Sequence, residues 1–96
     1  NRQNLKIAGF EIQVIYTPGH TGGGCCYYIP AENVLFSGDT LFHGSIGRTD
    51  LPTGSMGQLV NSIRDRLFVL PDETKVYPGH MEETTIGYEK KYNPFI

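Results

Sequence analysis

The 96-residue chain has no cluster of basic side chains, and its net charge at pH 7 is −2. A nucleic-acid backbone or an anionic membrane surface calls for the opposite electrostatics, so neither is an expected partner. No apolar run approaches the roughly 20 residues that span a bilayer. The opening "NRQNLKIAGF" carries neither a signal-peptide pattern nor an initiator methionine. The expectation is a soluble, cytoplasmic chain whose first residue is a cut. Cysteine is scarce: Cys25 and Cys26 are adjacent, and neighbours rarely bridge because the ring strains the peptide between them. A disulfide framework is excluded, and the pair reads as small core residues in a reducing compartment. Internal repeats, low-complexity segments and a Ser or Cys nucleophile motif are also missing, which leaves a single ordinary domain over residues 1–96 with a modest core.

What is present is a series of short apolar runs punctuated by turns. Leu5 to Ala8 and Phe10 to Tyr16 flank Gly9, as in a tight hairpin or a bulged strand. Within the second run Phe10, Ile12, Val14 and Tyr16 alternate with Glu11, Gln13 and Ile15, giving one continuously apolar face. "CCYYIP" and "NVLFSGD" predict two more strands joined around Pro30 to Asn33. Leu41 to Gly54, with Gly44, Gly47, Pro52 and Gly54, predicts a functional loop. Met56, Leu59, Val60, Ile63, Leu67 and Leu70 have helical spacing, with Ser55 as N-cap and Pro71 as terminator. "KVYPGH" predicts a last short strand, and Glu82 to Tyr92 a short charged helix closed by Asn93-Pro94. The order β-β-β-β-loop-α-β-α implies an α+β fold, a mixed sheet with two helices on one face.

Two of the three histidines follow the same tripeptide, in "TPGHTGG" and "YPGH". A Pro-Gly pair after a β-branched or aromatic run ends a strand and turns the chain sharply, so His20 and His80 are presented at strand ends. "FSGDTLF" places Asp39 in the same way. Any one of these is commonly a satisfied surface or core residue. Three together, along one sheet edge, supply two imidazoles and a carboxylate, ligand types suited to zinc or iron.

"TPGHTGG", "GDTLF", "GSIGRTD" and "YPGH" in this order, followed by "ETTIGYEKKYNPF", resemble the second half of a metallo-β-lactamase-fold hydrolase of the hydroxyacylglutathione hydrolase-like group. The resemblance covers nearly the whole chain. It implies half of a four-layer αββα sandwich, with His20 ligating a first metal, Asp39 bridging two metals and acting in catalysis, and His80 ligating the second. The family's His-x-His-x-Asp-His motif is absent here, so half of the metal ligands are not in this chain. His43, the remaining histidine, falls in a variable loop and reads as solvated. Gly22 and "GHMEE" depart from the family's usual residues without touching the ligand positions. Arg48, in "GSIGRTD", is either a surface partner of Asp50 or a fork for a substrate carboxylate.

The implied chemistry is cleavage of a thioester such as an acylglutathione, by hydroxide generated at a dinuclear zinc site. The chain ends at "NPFI" without the helical extension that carries much of the glutathione surface in longer hydrolases, which weakens a glutathione requirement. The alternatives are an iron-dependent persulfide dioxygenase using His20 and Asp39, and a catalytically inert excised domain. The two halves of the family fold are related by an approximate two-fold. A chain holding one half is therefore expected to bind metal weakly or not at all and to pair as a homodimer or exchange segments.

Overall fold

The computed structural model describes residues 2–50 and 52–96; Asn1, and Leu51 within the predicted loop, lie outside them. The chain opens with the hairpin alternative. Strands β1 (Arg2–Ile7) and β2 (Phe10–Tyr16) pair antiparallel. Ala8 and Gly9 turn the chain with φ of 52° and 83°, the double left-handed conformation of a two-residue hairpin whose twist matches the strands. Strands β3 (Cys25–Ile29) and β4 (Val34–Gly38) continue the meander as read from the sequence.

The predicted loop is more ordered than its glycines suggest. Leu41–Phe42 and Ser45–Ile46 form a separate miniature hairpin, β5 and β6, and both residues of β5 are buried. Two-residue strands are too short to show any periodicity, so the pattern could not reveal them.

Helix α1 (Met56–Ser62) begins where expected, with the Ser55 hydroxyl accepting from the Gln58 N–H at 3.2 Å. It does not run to Leu70. Ile63–Leu67 widens into a π turn closed by the Phe68 N–H to the Ile63 carbonyl at 2.9 Å, and Leu70 returns in a tight turn onto Leu67. Strand β7 (Lys75–Pro78) follows, but it is not the last: Thr84–Thr85 add a short β8. That strand takes the first turn of the expected second helix. Helix α2 therefore spans Ile86–Tyr92, with Thr85 as N-cap accepting from the Tyr88 N–H at 3.1 Å.

The main sheet has the order β1-β2-β3-β4-β7-β8, antiparallel throughout except for the parallel pair β4–β7. The crossover from β4 to β7 contains the small hairpin and α1. One face is closed by helices: Ile15, Cys26, Leu35 and Val76 pack with Leu59, Ile63, Leu67 and Ile86. The mixed sheet with helices on one side is thus as the sequence implied. The inward residue of β2 is Ile15, fully buried, whereas Phe10 and Tyr16 of the expected apolar stripe point away from the helices and stay exposed. Phe36 and Tyr77 stack on that same outer face, with ring centroids 5.8 Å apart. Among the described residues no helix is long and apolar enough to cross a membrane.

The two cysteines point to opposite faces. Cys26 is fully buried beside the Thr17 hydroxyl at 3.4 Å, and burial pushes its thiol up to about 11. Reactivity tracks the thiolate. Cys26 is therefore expected to resist iodoacetamide at pH 8 in the native chain and to react on addition of denaturant, which peptide mapping of the alkylated sites would follow. Native labelling at Cys26 as fast as at half-exposed Cys25 would contradict its buried placement.

Candidate metal centre

Topology brings the three predicted residues together. Strand β2 is antiparallel to β3, β3 to β4, and β4 is parallel to β7. Strands β2, β4 and β7 therefore run the same way, and their C-terminal ends share one edge of the sheet. His20, Asp39 and His80 each follow one of those ends by a few residues. Asp39 sits between the imidazoles: its Oδ2 is 3.8 Å from His20 Nε2, and its Oδ1 is 3.6 Å from His80 Nδ1.

Each turn is fixed from behind. Gly19 adopts φ of 141°, and a Cβ there would stand 2.3 Å from Leu59 backbone atoms, so only glycine lets the His20 turn seat against α1. Helix α1 and its π extension hold three carbonyls of that strap. The Ser55 N–H donates to Gly19 at 2.7 Å, the Ser62 hydroxyl to Pro18 at 2.8 Å, and the Arg66 guanidinium to Tyr16 at 2.6 Å. The Asp39 turn is tied by the Gly79 N–H to the Gly38 carbonyl at 2.9 Å and the Gly47 N–H to the Thr40 carbonyl at 3.0 Å. The His80 ring lies tilted on Phe42, with centroids 4.7 Å apart.

His20 Nδ1 is 2.7 Å from the Arg48 carbonyl. A carbonyl only accepts, so Nδ1 carries the hydrogen and, in the neutral ring, Nε2 presents its lone pair toward Asp39. This is the arrangement in which a ligating histidine is oriented by its second nitrogen. Both gaps from Asp39 exceed hydrogen-bond length. Two donors about 2.1 Å from a shared ion stand roughly 3.4 Å apart at the tetrahedral angle, so each gap fits an ion between its pair. Among the described residues no three His, Cys, Asp or Glu side chains close around a single ion. Asp39 lies between the two imidazoles, with one carboxylate oxygen toward each.

An open cavity of about 390 Å³ takes in the triad, and its lining includes the apolar Phe42, Ile46 and Met81 together with Ser45, Gly47 and Arg48. Met81 holds a left-handed backbone with φ of 71°. Arg48 makes a two-pronged pair with Asp50, at 2.7 Å and 3.0 Å. The hydrogen bonds between them hold the Asp50 carboxyl below its usual range and the guanidinium above its own.

The model of the metallo-beta-lactamase superfamily matches residues 4–80. The chain belongs to this superfamily. Curated relatives include a probable metallo-hydrolase of Streptococcus pyogenes, 46% identical over 99% of this chain and 41% of its own length. Hydroxyacylglutathione hydrolase GloC of Haemophilus influenzae is 45% identical over 96% of this chain and 43% of its own. Among solved structures, the BLEG-1 B3 metallo-beta-lactamase superposes with a TM-score of 0.94 at 48% identity, covering 99% of this chain and 46% of that one. TTHA1623 in a di-iron-bound form gives 0.86 at 46% identity, covering 96% and 45%. ETHE1 from Myxococcus xanthus gives 0.90 at 40%, covering 96% and 42%. The chain thus spans less than half the length of the curated relatives it matches.

Within this metallo-β-lactamase-fold chain the sequence reading missed three things. His43 is not a solvated loop residue: its ring stacks on Tyr88, centroids 4.9 Å apart, and Nδ1 lies 3.4 Å from Glu82. The loop's contribution to His20 is a backbone carbonyl, which no side-chain pattern can announce. Glu89 is fully buried and accepts from the Gly44 N–H at 3.0 Å, the Thr84 hydroxyl at 2.6 Å and the Asn93 amide at 2.8 Å, locking α2 to the small hairpin behind Phe42. "ETTIGYEKKYN" does carry Glu89 and Asn93 at helical spacing, so the signal existed as an i, i+4 pair.

These contacts separate two substitutions. Gly19→Ala forces strain and a clash with Leu59, and is expected to destabilise the fold by about 1–3 kcal/mol or more. Arg48→Ala removes an exposed pair but keeps the carbonyl on His20, and leaves the melting temperature nearly unchanged. What stability that pair adds is present above the ordinary carboxylate range and fades as pH falls through the lowered Asp50 value. Thermal melts of both variants check this; equal losses would contradict it.

Proposed function

We propose that the chain is the C-terminal part of a metal-dependent hydrolase that cleaves a thioester such as an acylglutathione. The carrying observation is Asp39 with one carboxylate oxygen toward each imidazole, the geometry of a bridge between two ions. The 45% identity to a relative named hydroxyacylglutathione hydrolase supports the substrate class. His20 and Asp39 would hold one ion and Asp39 and His80 the other, each completed by ligands from outside this chain. When bound, the metals supply Lewis acidity toward a carbonyl and make a nearby water more acidic.

The chain's own residues do the rest. The Arg48 carbonyl fixes the His20 tautomer, and Phe42 fixes the His80 ring plane. Phe42, Ile46 and Met81 offer an apolar wall for an acyl group. The Arg48 fork is engaged by Asp50, so a substrate carboxylate would have to compete for it.

A second reading is an iron-dependent persulfide dioxygenase using His20 and Asp39 with one histidine from outside the chain. Likeness to ETHE1 supports it at the level of fold and sequence. The di-iron form of a 46%-identical relative supports iron as an occupant under either reading, and two ions favour the hydrolase. Metal analysis of a full-length protein carrying this sequence separates them: two ions per chain, zinc or iron, for the hydrolase, one iron for the dioxygenase.

In that full-length protein Asp39→Ala is expected to abolish thioesterase activity and metal content together, because one carboxylate serves both sites. His20→Ala and His80→Ala should each release one metal. Near-normal turnover with two metals retained in Asp39→Ala would refute the bridging role.

The 96-residue chain alone has two ligands per ion, fewer than the three protein ligands of catalytic zinc sites. It is expected to bind zinc or iron weakly, to lose it to chelator, and to show no thioester cleavage above background. Zinc-dependent turnover abolished by His80→Ala would overturn this.

A further inference from the structure

We propose that Met81 sets the acyl preference of the site, its side chain favouring thioesters of longer straight aliphatic chains over an acetyl thioester. Three non-glycine residues among those described hold a positive φ: Ala8, Asn33 and Met81. Ala8 closes the first hairpin, where a two-residue turn demands that conformation. Asn33 is a residue type that tolerates it, and its side-chain oxygen accepts from the Tyr28 and Thr74 hydroxyls at 3.3 Å and 2.8 Å. Met81, at 71°, has neither explanation. Glycine would hold the same turn without a Cβ penalty. Met81 is also 60% exposed, so packing within this chain does not offset the strain. Strain of this kind gathers at ligand clamps and active sites. What the side chain does have is the cavity, which it lines directly after His80.

The other lining residues leave this task to Met81. Phe42 is buried, with the His80 ring lying on it, and Ile46 is packed against the core. Both are fixed surfaces that a chain can lie along but not move. The Arg48 guanidinium is engaged by Asp50, and the Ser45 hydroxyl by the Ile46 carbonyl at 3.4 Å. Met81 is unbranched, exposed and polarisable, and can lay its thioether along chains of different length. Each methylene of the ligand that it helps to cover leaves water. The thioester itself rests on the hydrolase reading above; the binding of an alkyl chain at Met81 does not.

The test uses a full-length protein carrying this sequence and begins with ligands that cannot be cleaved. S-methyl-, S-butyl- and S-hexylglutathione are titrated by calorimetry. A fully buried methylene is worth about fourfold in binding, so the hexyl compound, against one open wall, should bind about tenfold tighter than the methyl compound or more. Met81→Gly should cut that gradient to about threefold or less, with the melting temperature held or raised because the strained turn is relieved. Met81→Leu, which keeps an apolar side chain, should retain the gradient. With acetyl-, butyryl- and hexanoylglutathione the same order is expected in kcat/KM, and the Met81→Gly loss should appear in KM and not in kcat. No binding, equal affinity for all three thioethers, or a gradient that survives Met81→Gly overturns the inference. A gradient lost together with a marked fall in melting temperature also overturns it, since Met81 would then be a packing residue against the rest of the protein. A Met81-dependent gradient in a protein that cleaves no thioester supports the inference and removes the hydrolase reading.

Discussion

The parallel pairing of β4 with β7 is the constraint from which the rest of the site follows. In an all-antiparallel sheet, consecutive strands deliver their ends to alternating edges, and Asp39 and His80 would be separated by the length of a strand. One parallel pair, inserted after two antiparallel ones, aligns the ends of β2, β4 and β7. A parallel pair needs a long crossover, and this chain uses that length twice. The small hairpin within it lines the cavity, and α1 braces the His20 turn from behind. The connection that topology demands is also the support that the side chains require.

That support is made of backbone as much as side chain. Three carbonyls of the strap before His20, those of Tyr16, Pro18 and Gly19, are held by α1, its cap and its π extension, and a further carbonyl orients the ring itself. Such contacts depend little on the identity of the residue that supplies the oxygen. "GSIGRTD" is therefore informative about the site through its backbone, without the Arg48 side chain having to contact His20, Asp39 or His80. Its constraint falls on glycine: a Cβ at residue 47 would stand 1.9 Å from the Asp39 carbonyl oxygen.

Legibility followed the physical range of each signal. The hairpins, the Ser55 cap and the strand-end placement of His20, Asp39 and His80 rest on local turn chemistry, and all were readable. The inward face of β2 was not, because both of its faces carry apolar residues and alternation cannot say which one meets the helices. The small hairpin and β8 are too short for periodicity. Glu89 reads as one more charge on a solvated helix; Asn93 and Thr84 are its near neighbours in sequence, but only the tertiary structure brings the Gly44 N–H to it. The stacking of His43 on Tyr88 likewise joins residues far apart in sequence.

The π turn over Ile63–Leu67 bears on how this segment tolerates changes in chain length. A π turn accommodates one residue more than an α turn in the same rise. Deleting one residue there can be absorbed by reversion to ordinary α geometry, with Leu67 and Leu70 still delivered to the core. An inserted residue has no such relaxation and would rotate both leucines out of the sheet's helical side. The segment behind the His20 strap can therefore shorten across related sequences but has little room to lengthen.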